Sequence, residues 1–331
     1  MSGPRYPVGI IGGGAWGTAL AAVMAQIHNE VLIWAREEEV VAGVNSANEN
    51  ASFLPGLKLS PKIVATGDLS EMAQCGALLI VTPAQHVRAT LTDLPGTNAP
   101  LLLCAKGIEA DTQMLVSDIA AEVRPDNPLA VLSGPTFAHE VAAGKPTAIT
   151  LATANQALGS VLMRLVAAPH FRPYWSDDVV GAEIGGAVKN VLAIGCGVVD
   201  GAGLGLNARA ALIARGFAEM QRYGLARGGR AETLAGLSGL GDLVLTCSSE
   251  NSRNFSLGRG LGQGIPASEM LADRRTVAEG AFTAPVLLQS AQKLGVDMPI
   301  VAAVCALLDG SATVSEVTAA LLARPLKAES W

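Results

Sequence analysis

Two lysines of this 331-residue chain stand where lysine is costly. Lys189 lies within Gly185-Gly186-Ala187-Val188-Lys189-Asn190-Val191-Leu192-Ala193, a helical pattern apolar on nearly every face, as buried helices are. A buried ammonium needs an anion, a carboxylate partner or a lowered pKa. So placed, it can hydrogen-bond a carbonyl oxygen and transfer its proton as charge develops there. The plainer alternative is a lysine that snorkels to the surface from tight helix packing. Lys106 follows the apolar run Leu101 to Ala105 and projects at the carboxyl edge of a sheet, where open α/β sheets bind ligands.

Further polar groups follow. Leu237-Ser238-Gly239-Leu240-Gly241-Asp242 places one carboxylate at the end of a glycine loop, and Ser252-Arg253-Asn254 offers a hydroxyl, a guanidinium and an amide in succession. That trio suits a phosphorylated substrate, because each member can donate to oxyanions, although the string is also common in ordinary loops. Ser133-Gly134-Pro135-Thr136 marks a strand end with a turn and is ambiguous by itself.

Gly12-Gly13-Gly14-Ala15-Trp16-Gly17 satisfies G-x-G-x-x-G, with Gly12, Gly14 and Gly17 at the required positions. A strand pattern (Val8 to Ile11) precedes it and an Ala-rich helical pattern follows. In that context the first glycine makes the tight turn and the second lets a pyrophosphate approach the backbone. The third permits close helix-strand packing, and the phosphates sit on the helix N-terminus. A dinucleotide site is expected. At the end of the next strand an acidic residue would favour NAD, but the chain reads Trp34-Ala35-Arg36 before three glutamates. Arg36 can pair with a 2′-phosphate and stack on adenine, which favours NADP, while Glu37 pushes the other way.

The elements that must position these groups fall into two halves. Val8–Ile11, Val31–Trp34, Ile63–Thr66, Ala77–Thr82, Leu101–Ala105 and Leu129–Leu132 read as buried parallel strands, with Thr147–Ala152 and Phe171–Trp175 as further candidates. Helix-length segments at Ala15–Ile27, Ala84–Leu94 and Asp111–Val123 alternate with them, the pattern of a doubly wound α/β sheet. From about Asp177 helical stretches dominate: Val180–Val199, Ala208–Tyr223, Pro285–Leu294 and Ile300–Leu308. They are separated by glycine-rich loops at Gly201–Gly205, Gly236–Gly241 and Gly258–Gly264. The expected organisation is a Rossmann-type dinucleotide-binding domain over residues 1–178 and an all-helical substrate-binding domain over 179–331.

Composition bounds the partners. Half the residues are hydrophobic and 16% are charged, ample for a core and wrong for disorder. A net charge of −6 argues against an electrostatic nucleic-acid binder. The longest strongly apolar stretch, Val191 to Val199, is far short of the roughly 20 residues of a spanning helix, so stable membrane insertion is not expected. The N-terminus goes straight into a strand without a signal peptide's regions, and five dispersed cysteines suggest neither disulfides nor zinc. A cytoplasmic location is the expectation. A homodimer is one option, but oligomeric state is not readable here, since every second-domain helix can be core or interface.

Taken together, the blocks IIGGGAWGTALA, CAKGIE, SGPTFAHE, EIGGAVKNVLAIG, GLSGLGDLVLTC, SSENSRNFSLG and TVAEG, in that order, resemble the bacterial-type NAD(P)-dependent glycerol-3-phosphate dehydrogenases over nearly the whole chain. The resemblance implies that the glycine loop, Trp16 and Arg36 contact NADPH, with NADH as a second cofactor, and that Lys106 and Ala138 lie on the nicotinamide side. It implies Lys189 as general acid/base with Asp242 beside it. It also implies that Lys106, Gly134, Thr136, Lys189, Asp242, Ser252, Arg253 and Asn254 hold glycerol 3-phosphate, and that Arg253, Val277 and Glu279 reach the cofactor. Two positions depart from the family pattern: Ala15 replaces a frequent Ser and loses one side-chain hydrogen bond to phosphate, and Thr136 replaces the more usual Ser. Related two-domain dehydrogenases of β-hydroxyacids or ketopantoate also use a lysine-bearing helix. The blocks around Asp242 and Arg253 favour the phosphorylated triol over them. An intact set of Lys106, Lys189 and Asp242 argues against a non-catalytic NADP(H) sensor, which needs no proton donor.

Overall fold

The computed structural model describes residues 3–272 and 278–326. The chain divides into two compact units. The first runs up to Lys106 and again from Met114 to Val179; the second comprises Gly107–Gln113 and the chain from Val180 onward.

The first unit is built on an eight-stranded sheet: β1 (Val8–Ile11), β2 (Val31–Trp34), β3 (Ile63–Thr66), β4 (Leu78–Ile80), β5 (Leu101–Leu103), β6 (Leu129–Ser133), β7 (Thr147–Ala152) and β8 (Phe171–Ser176). Their order is β3-β2-β1-β4-β5-β6-β7-β8. The first six are parallel, β7 is antiparallel to β6, and β8 is parallel to β7. The expected doubly wound sheet is present, and the switch in strand order falls between β1 and β4, where such folds bind their ligands. The helices are α1 (Ala15–Ile27), α2 (Glu38–Ala47), α3 (Val87–Asp93), α4 (Val116–Val123), α5 (Ala138–Ala142) and α6 (Gln156–Val166). Val8, Ile10, Ala19, Leu20, Val31, Leu79 and Leu102 belong to one core cluster, which explains why these strands are apolar runs and not alternating ones.

One expected helix is shorter than its pattern. Asp111–Val123 becomes helical only at Val116. Gln113 takes a left-handed φ of 61°, which no α-helix accommodates. Asp118 Oδ2 then accepts the Leu115 N–H at 3.2 Å, capping the helix there.

The second unit is helical: α7 (Val179–Gly201), α8 (Leu206–Ala226), α9 (Ala231–Leu234), α10 (Asp242–Cys247), α11 (Arg253–Gly262), α12 (Ala267–Met270), α13 (Glu279–Lys293), α14 (Pro299–Leu308) and α15 (Val314–Leu322). Two expected glycine loops are corrected. Leu237–Gly241 forms a π-helical turn leading into α10, and Gly258, Gly260 and Gly262 lie inside α11. The glycines are there for contact, not for bending. A Cβ on Gly197 would sit 2.0 Å from the Phe255 carbonyl oxygen, and one on Gly201 would sit 2.1 Å from that of Arg259, so α7 and α11 cross backbone against backbone. The apolar stretch read as nine residues is also corrected. Among the described residues α7 is the one helix long and apolar enough to cross a membrane, and 89% of its apolar window is buried within the fold.

Candidate functional site

In the first unit, β1 ends in the glycine turn. Gly12 has a φ of 128°, a conformation that favours glycine, and a Cβ there would lie 3.0–3.2 Å from the backbone of Val81 and Thr82 at the end of the neighbouring β4. A Cβ on Gly17 would lie 1.9 Å from the Gly12 carbonyl oxygen, so this glycine lets α1 press onto the turn. Around Gly14 there is open space on the Cβ side. No side chain caps α1, whose first intrahelical bond is Thr18 N–H to the Gly14 carbonyl at 2.9 Å. The N–H groups of Ala15, Trp16 and Gly17 precede that bond and point out of the helix end.

Around this turn, Trp16 is half-buried, with its indole Nε1 buried and unpartnered. Arg36, just past β2, is 80% exposed, and its guanidinium lies 3.3 Å from Glu37 Oε1. Lys106, half-buried beyond β5, donates to the Gly134 carbonyl at 3.2 Å, and Thr136 Oγ1 donates to the same oxygen at 3.1 Å. Lys106, Gly134 and Thr136 are thereby gathered at the carboxyl ends of β5 and β6, with Ala138 opening α5 just after them.

In the second unit, the apolar helix α7 carries Lys189 inward, where its side chain is 10% exposed. Its Nζ donates to Asp242 Oδ1 at 2.8 Å and to Thr246 Oγ1 at 2.9 Å. Thr246 Oγ1 lies 3.2 Å from the same carboxylate oxygen. Asp242 opens α10 and is 1% exposed. The approach depends on small residues: a Cβ on Gly185, one turn before Lys189, would lie 2.4 Å from the Ser238 carbonyl oxygen, one turn before Asp242. A buried amine held by a buried carboxylate and a hydroxyl has a fixed direction, which a surface lysine lacks. Burial pushes the neighbouring Cys247 thiol well up, with Cys196 reinforcing the shift, so it stays a thiol.

Ser252, Arg253 and Asn254 are divided in role. Ser252 Oγ accepts the Phe255 N–H at 3.2 Å and caps α11. Asn254 Nδ2 donates to Asn190 Oδ1 at 3.0 Å, and its Oδ1 accepts the Gly280 N–H at 2.9 Å. Arg253 is exposed at the start of α11. Glu279 opens α13, half-buried, while Val277 lies outside the described residues.

Two members of this cluster were not singled out in the sequence. Thr246 stands four residues after Asp242, the spacing that stacks two side chains on one helix face, and that spacing was the available signal. Asn190, next to Lys189, had no comparable signal, because its partner Asn254 is 64 positions away.

Comparison with known proteins decides the kinship. A family model described as NAD-dependent glycerol-3-phosphate dehydrogenase N-terminus matches residues 7–159, and one described as the C-terminus of the same enzyme matches residues 178–319. The chain belongs to the NAD-dependent glycerol-3-phosphate dehydrogenase family. It is 62% identical over 322 residues to the glycerol-3-phosphate dehydrogenase, NAD(P)+, of Erythrobacter litoralis, covering 97% of each chain. The corresponding protein of Sphingopyxis alaskensis is 60% identical over 321 residues, again with 97% of each covered. The crystal structure of glycerol-3-phosphate dehydrogenase from Coxiella burnetii superposes with a TM-score of 0.92 at 36% identity, covering 97% of this chain and 99% of that one.

A family of this name requires a nicotinamide dinucleotide, and the first unit fits one. The uncapped α1 terminus, the open space at Gly14 and the buried unpartnered Trp16 Nε1 are features an unliganded loop has no use for. Ala15, without a side-chain donor, has only its backbone N–H to offer there. Among the described residues no cluster of His, Cys, Asp or Glu could hold a metal ion.

Proposed function

We propose that this chain reduces dihydroxyacetone phosphate to sn-glycerol 3-phosphate with NADPH or NADH, reversibly, and that this supplies glycerophospholipid synthesis. The observation that carries the reading is the Lys189–Asp242 pair, a buried and oriented proton source in a member of this family.

Gly12, Gly14, Ala15, Trp16 and Gly17 would hold the dinucleotide, with Arg36 at the adenine ribose, Lys106 and Ala138 toward the nicotinamide, and Arg253, Val277 and Glu279 as further contacts. When bound, the nicotinamide supplies the hydride that reduces C2 of the substrate. Lys189 holds its proton at Nζ between Asp242 and Thr246 and passes it to the oxygen on C2 as charge develops there. Asp242 aims that amine. Lys106, Gly134, Thr136, Ser252, Arg253 and Asn254 would bind the substrate, with the guanidinium of Arg253 as the strongest oxyanion donor among them. The exposed Arg36 supports a preference for NADPH. Its contact with Glu37 is a surface pair that a 2′-phosphate can displace at little cost. A cytoplasmic enzyme is proposed, in homodimeric form: α15 buries none of its residues and leaves Ala319, Ala320 and Leu322 exposed, which supports self-association.

The test is oxidation of NADPH, and separately of NADH, followed by nicotinamide absorbance with dihydroxyacetone phosphate present. The expected result is substrate-dependent oxidation, reduced roughly a thousandfold in kcat by Lys189→Ala with nucleotide affinity retained. A folded protein that binds a nucleotide but oxidises it with ketopantoate or a β-ketoacid and not with dihydroxyacetone phosphate would establish a related dehydrogenase instead. No oxidation with any of them would point to a nucleotide sensor.

A further inference from the structure

Proteins leave few buried polar side-chain atoms without a hydrogen bond, because each gives up its bond to water and gains none in return. In the first unit, the described residues contain three such atoms: Trp16 Nε1, Thr82 Oγ1 and Ser133 Oγ. Their placement is not scattered. Trp16 is the second residue of α1, just past the glycine turn; Thr82 lies two residues past the end of β4; Ser133 is the last residue of β6. All three stand at the carboxyl side of the parallel strands.

Thr82 is the most informative. It is 8% exposed, and β4 is the strand paired with β1 across the switch in strand order. Its backbone nitrogen lies 3.1 Å from where a Gly12 Cβ would be, so the residue abuts the turn that approaches the pyrophosphate. A valine would fill the same volume without an unpaired hydroxyl. The fold alone gives the hydroxyl no purpose, and a ligand oxygen brought in at the glycine turn would give it one.

We propose that Thr82 is a dinucleotide-binding residue whose hydroxyl hydrogen-bonds the pyrophosphate–ribose portion of NADPH. The inference rests on the reading of the first unit as a nicotinamide-dinucleotide site and adds a contact outside the glycine motif. It separates two properties that usually move together. Removing the hydroxyl relieves a buried unsatisfied group in the free protein and takes a hydrogen bond from the complex.

The experiment compares wild type, Thr82→Val and Thr82→Ser by titration calorimetry with NADPH and with 2′-phospho-ADP-ribose, which lacks the nicotinamide. Thermal unfolding of each ligand-free protein is measured alongside. Thr82→Val is expected to bind both ligands about tenfold more weakly. Its ligand-free Tm should be unchanged or higher, and Thr82→Ser should recover most of the affinity. Wild-type affinity in Thr82→Val overturns the proposal. A lowered ligand-free Tm in Thr82→Val overturns it too, since the hydroxyl then serves the fold. A loss confined to NADPH overturns the placement at the pyrophosphate. Failure of the wild type itself to bind either ligand defeats the dinucleotide reading, and this contact with it.

Discussion

Gly258 of α11 faces the backbone of Ile194 in α7 so closely that a Cβ would stand 1.9 Å from the Ile194 carbonyl oxygen. The obstacle is backbone inside a buried helix, not the end of a flexible side chain, so nothing nearby can move aside cheaply. Gly258→Ala is therefore expected to push the two helices apart and destabilise the protein by roughly 3 kcal/mol. Because α11 carries Ser252 to Asn254 at its start, the KM for dihydroxyacetone phosphate should rise with the fall in Tm. A variant with wild-type Tm and KM would refute the close crossing.

Thr246 accepts one hydrogen bond from the Lys189 ammonium, so it shares in aiming the proton. Thr246→Val keeps the shape and removes that acceptor. The expected consequence is a kcat about tenfold lower with little change in KM. Thr246→Ser should restore most of the rate. Equal loss in both variants would mean that packing, not the hydroxyl, matters.

Glu219 gives the stability a pH dependence of its own. It is buried in α8 and accepts the N–H groups of Ile300 and Val301, at 2.7 and 3.2 Å, at the start of α14. Desolvation nonetheless pushes its carboxyl from the usual 4.5 up to about 7, with the two N–H bonds and Arg222 pulling down. Between those values the folded state binds the proton and the unfolded chain does not. The stabilisation is therefore complete below 4.5 and is lost as pH rises through about 7, with an amplitude of roughly 3 kcal/mol. Denaturant unfolding from pH 4.5 to 7.5 should show this decline in the wild type and a flatter profile in Glu219→Gln. Parallel profiles would assign the dependence to other groups.

Arg36 provides a test of cofactor choice. On the proposed role, Arg36→Ala should lower kcat/KM for NADPH by about 10–50-fold and for NADH by less than threefold, since only the former carries the 2′-phosphate. Equal losses would remove Arg36 from discrimination.

Most of the first unit is legible in the sequence because its strands are covered on both faces, and a run such as Val31–Trp34 admits few other readings. Local conflicts were harder to see. Nothing short-range announces that Gln113 leaves the helical region, or that the cap at Leu115 belongs to Asp118. Glycines at 258, 260 and 262 read as a loop because single-residue propensity counts them as breakers, whereas contact with α7 makes small size the requirement. The lysine's burial could be inferred from its apolar helix. Its pairing with Asp242 and Thr246 bridges more than fifty positions, and it became visible only when α10 was placed beside α7.

The Asn254 side chain holds Asn190 of α7 on one side and the Gly280 backbone of α13 on the other. Asn190 adjoins Lys189, Asn254 adjoins Arg253, and Gly280 adjoins Glu279. One amide thus sets the relative register of the proposed proton donor, oxyanion clamp and cofactor contact before any ligand arrives. The ordering cost of that half of the site is met during folding, so binding energy is not spent on it. Such a joint also removes independence. A change that shifts one of the three groups shifts the other two, so substrate affinity, nucleotide affinity and turnover are expected to vary as one inherited trait and not as three separately adjustable ones.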